Sequence, residues 1–227
     1  MGVNSFSKDI VIVLATFNRK KVTEICLKNL SQTCKYATLW VIDDYSTEYD
    51  LDFLKQIAPN ANVFRLEKKY GIEHLRRHSH FLAEKAGFKF IYHTDNDAFH
   101  DPNWLEKLFE IHQKGFNWIG LYNTAHHNHR TKRKFDEEID IRSACPGISF
   151  FYKIDLLSGV IPDFLPNSWD FVFGDILFEC AVSTTSYLEH FGANGLHNTN
   201  FDGDRAKNPT KWLSDRREEI LNKLMGN

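Results

Sequence analysis

The regular alternation of apolar strands with amphipathic helices constrains the fold of this chain most strongly. β-Branched or apolar runs that resemble buried strands are separated by segments whose apolar residues recur at helical spacing. This alternation predicts a three-layer α/β/α domain with a mixed, mostly parallel central sheet. The predicted strands cover residues 10–16, 38–43, 62–66, 88–94 and 117–123, and the predicted helices cover 19–31, 51–57, 72–86 and 101–115.

The second half of the chain has a less regular pattern. Residues 124–142 are polar and predict an exposed loop, and 147–153 predict another strand. Residues 171–182 predict a strand end or a turn that enters a helix. The tail is amphipathic and predicts a C-terminal helix, with one apolar face formed by Trp212, Leu213, Ile220, Leu221 and Leu224. A length of 227 residues suits a single domain.

Composition excludes some classes of protein and leaves an ordinary globular chain. Hydrophobic residues make up 42% and the net charge is −2, so nothing requires a nucleic acid or an anionic membrane as partner. No apolar run approaches the roughly 20 residues of a membrane span, and no secretory signal is recognisable. The four cysteines, Cys26, Cys34, Cys145 and Cys180, have no paired spacing, which predicts reduced thiols in a cytoplasmic protein.

Polar clusters follow three of the predicted strands. "TFNR" follows the first strand, "DDYS" the second and "DND" the fourth. Because ligands of open α/β sheets bind beyond the carboxyl ends of the strands, we expect these clusters to lie together along one edge.

The "DND" cluster points to a bound cation. Asp95 and Asp97 lie two residues apart, so they share one face of a strand end, and two ionised carboxylates there would raise each other's pKa. Hard oxygen ligands suit Mg²⁺ or Mn²⁺, which commonly take substrate phosphates as further ligands. The alternative is an Asx-rich turn before a helix, with Asp101 as N-cap and Pro102 at the first helical position.

A second acidic pair, Asp43 and Asp44, ends the second strand. Since one metal ion rarely needs four carboxylates from two strands, this pair could accept hydrogen bonds from a uracil N–H or from ribose hydroxyls. Base and ribose on one side, with metal and diphosphate on the other, describe a nucleoside diphosphate site in outline.

Four motifs in order over residues 10–99 resemble the GT-A-fold nucleotide-sugar glycosyltransferases, most closely the large inverting family 2. They are the strand with Thr-x-Asn-Arg in "IVIVLATFNRK", the strand ending Asp-Asp-x-Ser-Thr in "WVIDDYSTEYD", the segment "KYGIEHLRRHSHFLAEKAGF", and the Asp-x-Asp element in "HTDNDAF". In the third motif Leu75 and Arg77 replace the usual Ala and Asn, while Arg76 keeps its register.

The resemblance implies a role for each matching residue. Residues 1–99 would bind a nucleoside diphosphate sugar, most simply a UDP-sugar, and 100–227 would bind a carbohydrate or other hydroxyl acceptor. Asp97 would ligate Mn²⁺ or Mg²⁺ directly, and a C-terminal histidine, His197, could complete the metal shell. The implied donor-binding residues are Thr16, Phe17, Asn18, Arg19, Asp43, Asp44, Arg76, Asp95 and Asn96.

A base must take the proton of the acceptor hydroxyl if the sugar is inverted in a single displacement. The resemblance places an acidic residue at the head of a late helix, which indicates Asp175 in "FGDILFE", with Glu179 as the fallback. Helix capping is the alternative role for Asp175. Gly174 stands where many relatives have Glu.

Other functions remain open from the residues alone. A nucleotidyltransferase would suit a related fold, but "TFNRKK" lacks the glycine-rich phosphate loop that such enzymes use. An inactive carbohydrate- or nucleotide-binding module would be expected to lack the motif acids. "HRTKRK" at 129–134 could steer a nucleic-acid acceptor, although the "DEE" that follows favours a solvated stretch. The "HHNH" cluster matches no standard zinc spacing.

Overall fold

The computed structural model describes residues 2–122, 131–143, 145–158, 179–185 and 187–190. The helices in these residues are α1 (Val3–Asp9), α2 (Lys20–Thr33), α3 (Leu51–Ile57), α4 (Ile72–Lys85) and α5 (Trp104–Gln113), with a 3₁₀ turn at Ile154–Leu156. The strands are β1 (Ile10–Thr16), β2 (Thr38–Asp43), β3 (Asn62–Arg65), β4 (Phe90–Asp95), β5 (Ala98–His100), β6 (Trp118–Gly120), β7 (Thr131–Lys134), β8 (Ile139–Arg142), β9 (Ser149–Lys153), β10 (Cys180–Ser183) and β11 (Leu188–His190). Within the described ranges, no helix is both long enough and apolar enough to cross a bilayer.

Nine of the strands in the described residues form one mixed sheet, in the order β3-β2-β1-β4-β9-β6-β10-β8-β7. Strands β9 and β8 run against the direction shared by the other seven. Strands β11 and β5 form a separate antiparallel pair. The mixed, mostly parallel α/β sheet predicted from the sequence is therefore confirmed.

Helices cover both faces of the sheet, which gives the three predicted layers. Alternate residues of β1 point to opposite faces, as the two-residue period of a strand requires. Ile12 packs in the core that contains residues of α1, α2, α3 and α5, whereas Val13 packs in the core under α4. Both side chains are completely buried, so β1 lies at the centre of the molecule.

The first half of the chain has the predicted strands and helices in the predicted order, with small shifts at the ends, and β5 is an additional strand that was not predicted. Helix α4 ends at Lys85, and Gly87 follows with a φ of +82°, a left-handed conformation that glycine adopts freely. The prediction that Asp101 caps the next helix was wrong. Its Oδ1 accepts a hydrogen bond from the Asn103 N–H (2.9 Å), so Asp101 forms a turn and α5 begins at Trp104.

Helix α1 was not predicted from the sequence. It places Phe6, which is completely buried, among aromatic rings of β4, α5 and β9. The Phe6 ring centroid lies 5.3 Å from that of Phe90, 5.1 Å from Phe109 and 5.9 Å from Phe151. The helix therefore closes one end of the larger core.

The predicted loop at 124–142 was wrong for its second part, because β7 and β8 form an antiparallel pair there. Ile139 and Ile141 are completely buried, so β8 presents one apolar face to the core. Residues 180–182 belong to β10 and not to a helix, which corrects that prediction too. The rest of the predicted turn and helix at 171–178, the first part of the loop and the C-terminal helix lie outside the described residues.

The prediction of four reduced thiols was wrong for one pair. Cys145 and Cys180 form a disulfide with a Cα–Cα distance of 5.9 Å. The sheet brings together two residues separated by 35 positions, which no local spacing could indicate. Cys26 and Cys34 are buried free thiols, and burial raises the pKa of Cys34 to about 12.

Candidate active site

The three polar clusters meet at one edge of the sheet, because β2, β1 and β4 are parallel neighbours in register. Thr16 lies opposite Asp43, and Ala15 lies opposite Asp95. A cleft of about 470 Å³ opens at this edge. The predicted residues that line it are Thr16, Phe17, Arg19, Asp44, Arg76, Asp95, Asn96 and Asp97, and the lining is completed by Ala15, Lys69, Gly71, Ile72, Leu75, Gly147 and His190.

Four predicted site residues are not part of this lining. Asn18 and Asp43 instead form hydrogen bonds that hold the loops of the cleft in place. Asp175 and His197 lie outside the described residues. Glu179, the fallback base, is described, and its carboxylate pairs with Arg133 at 3.3 Å.

Asp95 ends β4 and pairs with Arg76 of α4. The Arg76 Nη2 lies 3.3 Å from the Asp95 Oδ1 and also donates to the Gly147 carbonyl. Burial raises the pKa of Asp95 to about 6, against the opposing effect of Arg76 and with a further increase from the nearby Asp97 carboxylate. Asp95 is therefore a carboxyl group whose charge depends on the cations around it.

Asp97 is the most enclosed acid of the cleft, with two nitrogen groups beside one of its oxygens. The Arg19 Nη1 donates to Oδ2 at 2.8 Å, and the His190 Nε2 lies 3.1 Å from the same atom. The Asp97 side chain is only 4% exposed. The sequence predicts a positive charge beside Asp97. In this conformation the Arg19 guanidinium supplies that charge.

Asn96, between the two acids, fixes the position of the turn that carries them. Its amide nitrogen donates to the Asn18 carbonyl (3.2 Å) and to the Thr23 Oγ1 (2.7 Å) of α2. Because these bonds tie the end of β4 to the start of α2, Asp95 and Asp97 face the cleft from a fixed backbone.

Asp43 is completely buried, and both of its carboxylate oxygens accept hydrogen bonds. The Arg65 Nε donates to its Oδ2 at 2.6 Å, the Thr16 Oγ1 donates to its Oδ1 at 3.1 Å, and the Ser46 hydroxyl and N–H both donate to it. In this conformation Asp43 therefore joins β1, β2 and β3 and supports the strand ends that form the site.

Asp44 forms one wall of the cleft and sets where α4 begins. Its two oxygens accept hydrogen bonds from the N–H groups of Tyr70 (2.7 Å) and Gly71 (2.9 Å). Gly71 has a φ of +91°, which suits glycine at the residue before α4. The acid thereby positions the helix that carries Arg76.

Asn18 joins the loop after β1 to the loop after β2. Its Oδ1 accepts a hydrogen bond from the Thr47 N–H at 2.8 Å, and its own N–H donates to the Ser46 Oγ at 2.7 Å. These bonds stabilise the backbone of Asn18 and Arg19 at φ values of 52° and 60°, which residues other than glycine uncommonly adopt.

The mouth of the cleft combines a flat ring with an ammonium group. The Lys69 Nζ lies 3.8 Å from the centre of the Phe17 ring. An aromatic face beside a cation suits a ligand with a planar base and a phosphate chain.

Sequence reasoning missed Lys69, Gly147 and, above all, His190. His190 lies 93 positions after Asp97 and reaches it because β11 pairs with β5, directly after the acidic turn. No motif around His190 indicates this contact. The late histidine that the resemblance implied in the metal shell, His197, lies outside the described residues.

Comparison with known proteins places the chain in a family. Residues 11–158 match the family model described as Glycosyl transferase family 2. No curated protein matches the chain.

Solved structures share the fold at low sequence identity. S. aureus TarS 1–349 in complex with UDP-GlcNAc matches with a TM-score of 0.61 and 17% identity, over 79% of this chain and 57% of that one. S. aureus TarS matches with a TM-score of 0.59 and 16% identity, over 95% and 38% of the two chains. TarS 1–349 in complex with UDP matches with a TM-score of 0.59 and 18% identity, over 79% and 59%.

The chain thus covers less than two thirds of the length of each of these three structures. The family match, by contrast, spans well over half of this chain and contains all four motifs. The chain therefore belongs to glycosyl transferase family 2 and has the GT-A fold.

Proposed function

We propose that the chain transfers a sugar from a UDP-sugar to an acceptor hydroxyl, with inversion and with the help of Mn²⁺ or Mg²⁺. The observation that carries this proposal is the cleft at the ends of β1, β2 and β4. It brings the acids Asp95 and Asp97 together with Arg19, Arg76 and Lys69 around one space. A diphosphate needs such cations, and a divalent metal needs such acids.

The donor would lie with its base near Phe17 and Asp44, and with its diphosphate toward Arg19 and Arg76. Two of the structures that share the fold, both of S. aureus TarS 1–349, are complexes with UDP-GlcNAc and with UDP. That likeness supports a uridine nucleotide as the leaving group here. Positive charge near the diphosphate would stabilise the negative charge that builds on it in the transition state.

The residues of the cleft fit a divalent cation. Asp97 offers a carboxylate oxygen, and the His190 Nε2 lies 3.1 Å from it. Across the described ranges, no three His, Cys, Asp or Glu residues form a metal-binding group. Two protein ligands are nevertheless enough for Mg²⁺ or Mn²⁺ when phosphates and water complete the shell. We propose Asp97 and His190 as the ligands, and the bound ion would offset charge on the diphosphate.

His197 remains an alternative ligand that the described residues do not include. The same applies to Asp175, which we propose as the base that takes the proton of the acceptor hydroxyl. Glu179 is the weaker candidate because its carboxylate is in a surface ion pair with Arg133. We place the donor site in residues 1–99 and the acceptor site, with its carbohydrate or other hydroxyl acceptor, in 100–227.

Calorimetric titration of UDP with and without Mn²⁺ tests the donor and the metal. We expect UDP to bind the wild-type chain more tightly with Mn²⁺, and Asp97→Asn to abolish that difference. Asp52→Asn is the matched control, because the Asp52 side chain is 82% exposed on α3. UDP binding that ignores both Mn²⁺ and Asp97→Asn would rule out the proposed metal role.

Turnover tests the rest of the proposal. A screen of nucleotide sugars for slow hydrolysis should identify the donor, and Asp175→Asn should then bind UDP normally with turnover reduced by about 10²–10⁴-fold. Unchanged turnover in Asp175→Asn would remove Asp175 as the base. The absence of both UDP binding and hydrolysis of every nucleotide sugar would overturn the function itself.

A further inference from the structure

Arg19 has a contact that its place in the "TFNR" motif does not explain. Its guanidinium approaches the proposed metal acid, with the Nη1 2.8 Å from the Asp97 Oδ2. The backbone on either side of this contact is fixed. Arg19 precedes α2 in a left-handed conformation, and Asn18 is held by Ser46 and Thr47. The loop after β1 therefore directs a cation to Asp97.

The two partners of this ion pair differ in freedom. The Asp97 side chain is 4% exposed and sits on a turn fixed by Asn96, whereas the Arg19 side chain is 37% exposed and long. If the pair opens, the carboxylate stays where it is and the guanidinium moves. Arg19 also lines the cleft that Asp97 lines, so its movement would remain within the donor site.

A metal ion and a guanidinium compete for such an oxygen. Two like charges beside the same oxygen repel each other, and a divalent ion repels the guanidinium twice as strongly as a monovalent ion at the same distance. A diphosphate changes this balance, because its oxygens can accept hydrogen bonds from a guanidinium in bidentate fashion and ligate a metal at the same time.

We propose that Arg19 is the resident counter-cation of Asp97 and yields this carboxylate to the divalent metal when the donor arrives, then binds the donor diphosphate. This role rests on the proposed function, and it makes Arg19 a positioning residue that couples metal binding to nucleotide binding. The free protein should hold Mn²⁺ weakly, because metal binding must first displace Arg19. With UDP present, the displaced guanidinium gains a new partner, so both ligands bind together.

Titration of Mn²⁺, followed by the electron paramagnetic resonance signal of the free ion, measures this coupling without turnover. In the absence of nucleotide, Arg19→Gln should bind Mn²⁺ about tenfold more tightly than the wild type. In saturating UDP that advantage should disappear, and the affinity of Arg19→Gln for UDP should be lower than that of the wild type. Arg19→Lys keeps a cation and should retain weak Mn²⁺ binding in the absence of nucleotide.

Lys69→Gln is the matched control, since it removes the same charge from the same cleft at a residue that contacts the Phe17 ring. It should weaken UDP binding with a much smaller effect on Mn²⁺ binding than Arg19→Gln. Thermal unfolding of each variant confirms that the fold is intact.

The outcomes separate this inference from the proposed function. A wild-type chain that binds neither UDP nor Mn²⁺ contradicts the proposed function. A wild-type chain that binds both, together with an Arg19→Gln variant whose Mn²⁺ affinity without nucleotide is unchanged or lower, overturns the role of Arg19 alone. Equal tightening in Arg19→Gln and Lys69→Gln would show a general charge effect and would also overturn it.

Discussion

Adjacent residues can have different roles, and Asp43 and Asp44 illustrate this at the scale of single side chains. Asp43 is buried against Arg65 beneath the cleft, whereas Asp44 forms part of the cleft wall. The difference follows from the alternation of side chains at the end of β2. A motif of two acids therefore combines a supporting residue with one that can reach a ligand.

Asp43→Asn should lower the free energy of unfolding by about 2–4 kcal/mol, since it leaves Arg65 without its buried counter-charge. Urea denaturation measures this change. Asp44→Asn keeps one oxygen that can accept a hydrogen bond from the backbone of Tyr70 or Gly71. It should therefore lower the free energy of unfolding less than Asp43→Asn does, and it should weaken UDP binding more. If Asp43→Asn unfolds like the wild type but no longer binds UDP, then Asp43 is a ligand of the base and not a support.

The sequence could predict that Asp95 and Asp97 would line the cleft, because both lie at the carboxyl end of a strand that ends at this edge of the sheet. It could not predict the contact of His190 with Asp97. That contact joins residues 93 positions apart and depends on the pairing of β11 with β5, and pairing at such a distance leaves no periodic signal. Nor could it show that Arg19 reaches Asp97, since the direction depends on two left-handed residues.

At the scale of elements, α1 shows how a short helix can be stabilised by its packing against the core. Its seven residues have little helical stability of their own, because helices shorter than about 12 residues are marginal in water. Tertiary packing must hold it, and Phe6 provides that packing among the rings of Phe90, Phe109 and Phe151.

Phe6→Ala should lower the free energy of unfolding by about 3–5 kcal/mol, the range for loss of a buried phenylalanine. Phe81→Ala is the matched control, because this ring on α4 is 43% exposed and should cost well under half as much. Chemical denaturation of both variants provides the comparison. Similar losses for the two variants would mean that α1 does not stabilise the core.

The alternation of strands and helices allowed the first half of the sheet to be predicted, whereas β7 and β8 were missed. Their sequence combines a basic run with an acidic one, which is typical of a solvated loop. The apolar signal of β8 consists of Ile139 and Ile141 alone, and two alternating residues are too few to outweigh the surrounding charge.

At the scale of the whole molecule, the cleft lies where the pairing of neighbouring strands changes from parallel to antiparallel. The uninterrupted run of parallel neighbours β3-β2-β1-β4 ends at β4, and β9 beside it runs the opposite way. Arg76 spans this boundary, since it donates to the Gly147 carbonyl before β9 and pairs with Asp95 at the end of β4. The proposed donor site is thereby connected to the part of the chain in which we place the acceptor.

Buried histidines make the free energy of unfolding of the protein depend on pH. His80, His93 and His100 are buried, and burial lowers the pKa of each, for His100 from 6.5 to about 3. In the unfolded chain each would take a proton near pH 6.5, so the unfolded state binds more protons at acidic pH. Keeping His100 neutral does not reduce the free energy of unfolding above pH 6.5. Below that pH the unfolded chain gains a proton that the folded protein cannot, so the free energy of unfolding falls until the pH reaches about 3.

His100→Gln removes this titration and should flatten the pH dependence of stability. Between pH 7 and pH 5 the free energy of unfolding of the wild type should fall by roughly 2 kcal/mol more than that of His100→Gln. Gln can still form a hydrogen bond with the Tyr92 hydroxyl, which lies 3.0 Å from the His100 Nε2, and comparison of slopes cancels any constant loss. His78→Gln, at an exposed position of α4, should keep the wild-type slope. Parallel slopes for the wild type and His100→Gln would mean that His100 takes up its proton in the folded state as readily as in the unfolded chain.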